Sequence, residues 1–190
     1  MTCCVAVKEK DRIVIGSDRR IMTGNTCESQ CTMGEPKTRI LGAYTIAAAG
    51  DYASMARLFG FEYPDHEPTE EEFASIAREG DDSPEFEAIV VWKNHMWLID
   101  NTGAVVQMAE DYLACGSGAQ VALGALHATA GQDAVSRAIS ALRASACHNS
   151  CVGGPFDFVL CRGTSREAIG PTWGDFGGNE KGEKIFRTQG

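Results

Sequence analysis

A short hairpin at the start of the chain constrains both the fold and the chemistry of this protein. Small and β-branched residues run from Thr2 to Val7, a charged turn follows at 8–11, and a second apolar run at 13–15 ends in Gly-Ser-Asp. Two short apolar runs joined by a polar turn are typical of a β-hairpin. The sequence therefore predicts two neighbouring antiparallel strands, the first of which begins at Thr2.

Thr2 is the residue in this hairpin that carries a chemical hypothesis. Methionine before so small a residue is normally trimmed, which would leave Thr2 with a hydroxyl and a free α-amine on one residue. Such a pair is a self-contained nucleophile and base, one of the known ways to activate a weak hydroxyl. A cysteine nucleophile at Cys3 is the competing interpretation, and it requires the removal of two residues.

Length and charge narrow the class of protein. The chain has 190 residues, enough to bury a good core in one domain. Its formal charge of −9 argues against nucleic-acid binding, because there is no basic excess to displace the counterions of phosphate groups. The sequence has no run of about 18 apolar residues and no signal-peptide pattern. We therefore expect a cytoplasmic protein that binds neither membrane nor nucleic acid.

Eight cysteines raise the question of a metal site. Two Cys-x-x-x-Cys pairs, Cys27/Cys31 and Cys147/Cys151, carry ligands that zinc prefers, and two such pairs could converge in space. Their spacing is looser than the usual two-residue knuckle, and reduced cysteines also serve as small apolar residues. We expect no metal and no other cofactor, although the sequence leaves the role of the two pairs open.

The order of predicted elements favours the α+β class. Hydrophobic periodicity and turn residues predict these elements after the hairpin: strands at 36–41 and 44–49, helices opening at Asp51 and Thr69, strands at 86–92, 96–99, 105–108 and 112–115, helices at 119–129 and 133–146, and a strand at 156–161. Such segregated blocks predict two sheets packed face to face with helices outside. We expect one domain over 1–165 and a polar, glycine-rich tail over 166–190.

Five short motifs, taken together and in order, resemble those of proteasome β-type subunits and their compact bacterial relatives. They are Thr2-Cys3-Cys4-Val5-Ala6-Val7, Gly16-Ser17-Asp18-Arg19-Arg20, Pro36-Lys37-Thr38-Arg39-Ile40, Ala48-Ala49-Gly50-Asp51 and Gly116-Ser117-Gly118. The resemblance covers roughly residues 2–162 and points to the N-terminal-nucleophile hydrolases. It implies a four-layer αββα sandwich, in which two antiparallel sheets are flanked by helices.

The resemblance also implies roles for five catalytic residues. Thr2 would supply the attacking hydroxyl, with its own α-amine as general base. Lys37 would lower the pKa of that amine by like-charge repulsion, and Asp18 would keep Lys37 charged and oriented. Gly50 would offer a backbone N–H to the developing oxyanion, and Ser117 would form a hydrogen bond with the threonine amine.

By the same resemblance, Ala48 and Tyr52 would form walls of the substrate pocket. The implied function is a threonine endopeptidase that cleaves unfolded polypeptide inside a homo-oligomeric ring, and an unfoldase ATPase is a candidate partner. Two other functions stay open, namely an amidohydrolase that acts on a small amide through Thr2, and a catalytically inactive proteasome-like structural subunit. The chain departs from the family pattern at 147–154, which has no aspartate where β subunits usually carry one.

Overall fold

The structure is a computed structural model that describes residues 2–22, 30–78 and 85–172. Its elements, in chain order, are β1 (Cys4–Glu9), β2 (Arg12–Asp18), β3 (Arg20–Met22), β4 (Gln30–Thr32), β5 (Thr38–Leu41), β6 (Tyr44–Gly50), α1 (Tyr52–Gly60), α2 (Glu70–Arg78), β7 (Phe86–Trp92), β8 (His95–Asp100), β9 (Val105–Gln107), β10 (Tyr112–Cys115), α3 (Ala119–Ala128), α4 (Ala134–His148), β11 (Phe156–Arg162) and β12 (Ser165–Thr172). No helix in these ranges has the length and apolar content needed to cross a bilayer.

Ten of the strands form two antiparallel sheets. The first sheet has the strand order β10-β1-β2-β11-β12, and the second has the order β5-β6-β7-β8-β9. β3 and β4 form a separate two-stranded ribbon. The predicted hairpin is β1–β2, in which Val7 lies opposite Val14.

Three apolar clusters show how the layers stack. One cluster joins β1 to α4, with Val5 and Leu142 among its members. A second lies between the two sheets and includes Ile15 and Ile89. A third packs α1 and α2 onto the second sheet and includes Phe73. The layers therefore follow one another as helices, first sheet, second sheet and helices, which confirms the predicted αββα sandwich.

β1 is buried on both faces, which explains its unbroken run of small and β-branched residues. Side chains alternate along a strand. Cys3 and Val5 therefore face the helices, whereas Cys4 and Ala6 face the second sheet. By the same alternation, Thr2 belongs to the face between the sheets.

Both predicted helix caps of the first helical pair are present. Asp51 accepts a hydrogen bond from the backbone N–H of Ser54 at 2.9 Å. Thr69 and Glu72 form a reciprocal capping box, in which the Glu72 carboxylate accepts from the Thr69 backbone N–H at 3.0 Å. Because each cap is a local interaction within four residues, it was visible in the sequence.

The predicted boundary of the folded domain at residue 165 is wrong. β12 (Ser165–Thr172) pairs with β11 as the edge strand of the first sheet, so the domain extends at least to residue 172. Its exposed, polar composition suits an edge strand but hides the strand from a search for hydrophobic alternation. The rest of the predicted tail lies outside the described residues.

Candidate active site

Thr2 and Lys37 meet at the end of the sandwich. Lys37 directly precedes β5, and its side chain is fully buried. Its Nζ donates a hydrogen bond to Thr2 Oγ1 at 2.8 Å and contacts Asp18 Oδ1 at 3.2 Å. The same ammonium donates to the backbone carbonyl of Arg20. A lysine cation is therefore held against the hydroxyl of the predicted nucleophile.

Asp18, the last residue of β2, is the buried partner of that lysine. Its Oδ1 accepts from the backbone N–H of Cys3 at 3.0 Å, and its Oδ2 accepts from those of Gly153 and Arg20, both at 3.1 Å. Burial raises the pKa of the Asp18 carboxyl above its ordinary value, while the Lys37 ammonium and the Cys3 and Gly153 N–H groups oppose that rise. The carboxylate thus holds together β1, β2 and the segment before β11.

The turn between β10 and α3 holds the backbone of Thr2. Ser117 Oγ accepts from the Thr2 backbone nitrogen at 3.2 Å and lies 3.3 Å from the Thr2 carbonyl oxygen. The backbone N–H of Gly118 donates to that same carbonyl at 3.2 Å. Gly118 is the N-cap of α3 and makes no side-chain cap bond, so Ser117 does not serve as the helix cap. The serine hydroxyl is instead directed at Thr2.

Gly116 has a conformation and a position that exclude larger residues. Its φ is +86°, a region that L-residues rarely adopt. A Cβ at this position would collide with the carbonyl oxygen of Thr2 and would lie 2.9 Å from the Cβ of Ala49. The close approach of the turn to Thr2 therefore depends on a glycine at residue 116.

A cleft of about 930 Å³ opens beside Thr2. Gly50, just ahead of the N-cap Asp51, lies in its wall at the N-terminus of α1, where the helix dipole favours an anion. The lining residues are Thr2, Ala49, Gly50, Asp51, Glu85, Phe86, Glu87, Asn101, Gly116 and Ser117. All five predicted catalytic residues therefore lie in this cleft or in the hydrogen-bonded group beneath it.

The two predicted pocket residues are not brought to the cleft. Ala48 is fully buried against the α1 and α2 layer, because alternation along β6 directs Ala49 rather than Ala48 toward Thr2. Tyr52 is 73% exposed and lines a separate depression of about 200 Å³ with Met55 and Phe59.

Two residues that the sequence analysis missed contact the Ser117 turn. Glu87 Oε2 accepts from the backbone N–H of Gly116 at 2.9 Å, and Asn149 Nδ2 donates to the carbonyl of Ser117 at 2.9 Å. The sequence offered a reason to select Glu87, since it is the one charged residue in the apolar strand β7. It offered no reason to select Asn149, because asparagine is common at the position that follows a helix. Asn149 lies in the stretch where the family aspartate is missing.

Cys3 is adjacent to Thr2 in sequence but points away from the cleft. Its Sγ lies 3.4 Å from Ser145 Oγ on α4, and burial raises the pKa of its thiol to about 12. A thiol in this state is not a nucleophile at neutral pH. The geometry therefore disfavours the alternative in which Cys3 attacks.

The cysteine pairs are only partly visible. Cys27 lies outside the described residues, and so does the side chain of Cys31. Cys147 is exposed and Cys151 is half-buried, and both are free thiols. Within the described part of the chain, no three His, Cys, Asp or Glu side chains are grouped to hold a metal.

No family model and no curated protein matches this sequence. Solved structures match over most of the chain. The proteasome-like BPH of Thiobacillus denitrificans, in complex with epoxomicin, is 16% identical, with a TM-score of 0.70 over 84% of this chain and 98% of that one. HslV of Trypanosoma brucei, an N-terminal-nucleophile hydrolase, is 21% identical, with a TM-score of 0.67 over 84% and 99%.

A third structure, the Gly-1 mutant of the proteasome-like subunit Anbu from Hyphomicrobium sp. strain MC1, is 15% identical, with a TM-score of 0.73 over 92% of this chain and 89% of that one. This chain has the proteasome-like N-terminal-nucleophile hydrolase fold. The fold implied by the five sequence motifs is thereby confirmed. At these identities the likeness concerns the fold, and the chemistry has to be argued from the chain's own residues.

Proposed function

We propose that this protein is a threonine peptidase whose nucleophile is Thr2, freed by hydrolysis of the Met1–Thr2 bond. The observation that supports this most strongly is the 2.8 Å hydrogen bond from Lys37 Nζ to Thr2 Oγ1. A buried ion pair such as Lys37–Asp18 is a weak contributor to stability, because desolvation offsets most of the attraction. A lysine placed there and aimed at a threonine hydroxyl is better explained by chemistry than by folding.

The first step is attack on a substrate peptide bond. Thr2 Oγ bonds to the carbonyl carbon, and the hydroxyl proton passes to the α-amine of Thr2. The Lys37 ammonium lowers the pKa of that amine by like-charge repulsion, so more of it is free base at neutral pH. Ser117 Oγ, 3.2 Å from Thr2 N, orients the amine.

The intermediate then collapses to an ester. The backbone N–H of Gly50, at the N-terminus of α1, stabilises the negative oxygen that forms on the former carbonyl. The C–N bond breaks, and the leaving amine takes the proton from the α-ammonium of Thr2. Water attacks the resulting ester and gives its proton to the α-amine. The acid product leaves, and that proton returns to Thr2 Oγ.

We propose polypeptide as the substrate and a ring-type homo-oligomer as the working form, with an unfoldase ATPase as the partner. An open site of this kind would cut proteins indiscriminately, and enclosure in a ring removes that hazard. The proteasome-like nature of the structural neighbours supports the ring. The small-amide amidohydrolase shares the Thr2 chemistry, and the inactive shell subunit lacks it, so activity measurements separate all three.

The deciding experiment is the intact mass of the purified protein before and after incubation with an epoxyketone or β-lactone probe. We expect loss of Met1 and one adduct, which Thr2→Ala abolishes and the exposed-turn control Thr164→Ala retains. Hydrolysis of an unfolded protein then supports the peptidase, whereas turnover of small amides alone supports the amidohydrolase. Retention of Met1 with no adduct overturns the proposal and leaves a shell subunit.

A further inference from the structure

The charged side chains that line the cleft beside Thr2 are all acidic. Its described lining includes Asp51, Glu85 and Glu87 and contains no lysine, arginine or histidine. Asp51 is engaged in the fold, since its carboxylate accepts from the backbone N–H groups of Ser54 and Glu85. Glu85 and Glu87 are the two other acidic residues of the lining, and neither caps a helix in the described part of the chain.

Glu87 is the glutamate tied to the nucleophile. Its Oε2 accepts from the backbone N–H of Gly116 at 2.9 Å, and Gly116 packs directly on the carbonyl of Thr2. Alternation along β7 places Glu87 on the same face of the sheet as Ile89, but Glu87 is exposed and lines the cleft. One glycine therefore separates the Glu87 carboxylate from the backbone of Thr2.

Neither glutamate forms an ion pair with another residue in the part of the chain that the structure describes. Acids elsewhere in the described ranges form ion pairs, for example Asp18 with Lys37 and Asp157 with Arg19. A cleft lined by one sign of charge raises the local concentration of ligands of the opposite sign.

We propose that Glu87 is a specificity-determining residue, with Glu85 at the rim, and that the cleft selects polypeptides with a lysine or arginine on the carbonyl side of the cleaved bond. This inference rests on the proposed function, because Thr2 and Lys37, not the carboxylates, define the site. A guanidinium or ammonium in the cleft makes a charge-assisted hydrogen bond to Glu87. An acidic side chain there meets like charges and is rejected.

The test compares three fluorogenic peptides that differ only in the residue before the cleaved bond, which is arginine, leucine or glutamate. We expect kcat/KM to fall in that order, with arginine above leucine by about tenfold, the effect of one such polar interaction. Glu87→Gln keeps an oxygen for the Gly116 N–H and removes the charge, so the arginine-to-leucine ratio falls by about tenfold. The control Glu167→Gln removes an exposed charge from β12, at the far edge of the first sheet, and leaves the ratio unchanged.

Labelling of Thr2 by the epoxyketone is measured in parallel, so the two proposals fail in different ways. Normal labelling with no preference for arginine overturns the specificity assignment alone. An equal loss on the arginine and leucine peptides in Glu87→Gln also overturns it, because it assigns Glu87 to the Thr2 amine instead. Absence of both labelling and hydrolysis overturns the proposed function and this inference with it.

Discussion

Lys37 Nζ lies 2.8 Å from Thr2 Oγ1, although 35 residues separate the two in the sequence. Thr2 lies just ahead of Cys4, which opens β1 in the first sheet, whereas Lys37 leads into β5 of the second sheet. The contact therefore joins the two sheets at the open end of the sandwich. Because each residue is positioned by a different sheet, the candidate site forms only when both sheets have folded and packed.

Replacement of Lys37 by methionine is expected to damage both activity and stability. The variant loses the cation beside the nucleophile, so we expect hydrolysis to fall by about 100-fold or more. It also leaves Asp18 buried without its partner, which should lower the free energy of unfolding by about 3–5 kcal/mol. Peptide hydrolysis and urea unfolding measure the two effects. Lys8→Met, at a half-buried lysine of β1, should change neither by a comparable amount.

A double-mutant cycle isolates the buried ion pair. Asp18→Asn combined with Lys37→Met removes both charges, so the double variant should be destabilised by less than the sum of the single variants, with a coupling of about 1–3 kcal/mol. Activity should not recover, because the cation beside Thr2 is still missing. Strict additivity in urea unfolding would mean that the two side chains do not interact.

Gly116→Ala is expected to destabilise the protein by more than the backbone strain of an alanine at positive φ alone. Gly131 has a similar φ, +92° against +86°, but a Cβ there would stand in open space, so Gly131→Ala measures the strain alone, about 1 kcal/mol. Alanine at 116 adds a collision with the Thr2 carbonyl. We expect at least about 1 kcal/mol of additional destabilisation and slower labelling of Thr2. Equal thermal unfolding of the two variants would contradict the close approach.

Ser117→Ala should lower the activity of the protein while leaving its stability nearly unchanged. Ser117 is exposed, so its loss should change the free energy of unfolding by less than about 1 kcal/mol. The Thr2 nitrogen loses its acceptor, and we expect peptide hydrolysis to fall by about tenfold or more with a shifted pH–rate profile. Ser165→Ala, at an exposed position on β12, serves as the control. Unchanged kinetics would remove Ser117 from the site.

Exposed thiols should react faster than buried thiols when the protein is treated with an alkylating agent at about pH 8. Burial raises the pKa of Cys3 to about 12 and also raises those of Cys4 and Cys161, so these thiols remain protonated and inaccessible. Cys147 is exposed and should react before the other cysteines whose side chains the structure describes. Peptide mapping by mass spectrometry measures the order in which the cysteines are alkylated. Early modification of Cys3 would revive the cysteine-nucleophile interpretation.

Predictions of local structure from the sequence were accurate where a few neighbouring residues decide the outcome. The β1–β2 hairpin, the Asp51 cap and the Thr69 capping box all depend on contacts within a short stretch. The failure at β12 has the opposite cause. An edge strand takes its structure from pairing with β11, and its own residues carry no strong pattern.

The candidate site shows the same division. Thr2, Asp18, Lys37 and Ser117 were selected through their motifs, and the structure joins them by hydrogen bonds, while their catalytic roles remain predictions. The substrate-contact role of Ala48 likewise remains a prediction, although Ala49 and not Ala48 lines the cleft, since the side chains of neighbouring strand residues point to opposite faces.

The sequence by itself determined the types of residue that carry the chemistry, the strand period and the layered class of the fold, because these follow from side-chain chemistry and from local backbone preference. Only the tertiary structure decided which polar groups share a cleft. Thr2 and Ser117 are 115 residues apart, and Asp18 and Gly153 are 135 apart. Contacts of that range arise from the packing of two sheets, and this packing brought Glu87 to the Gly116 turn.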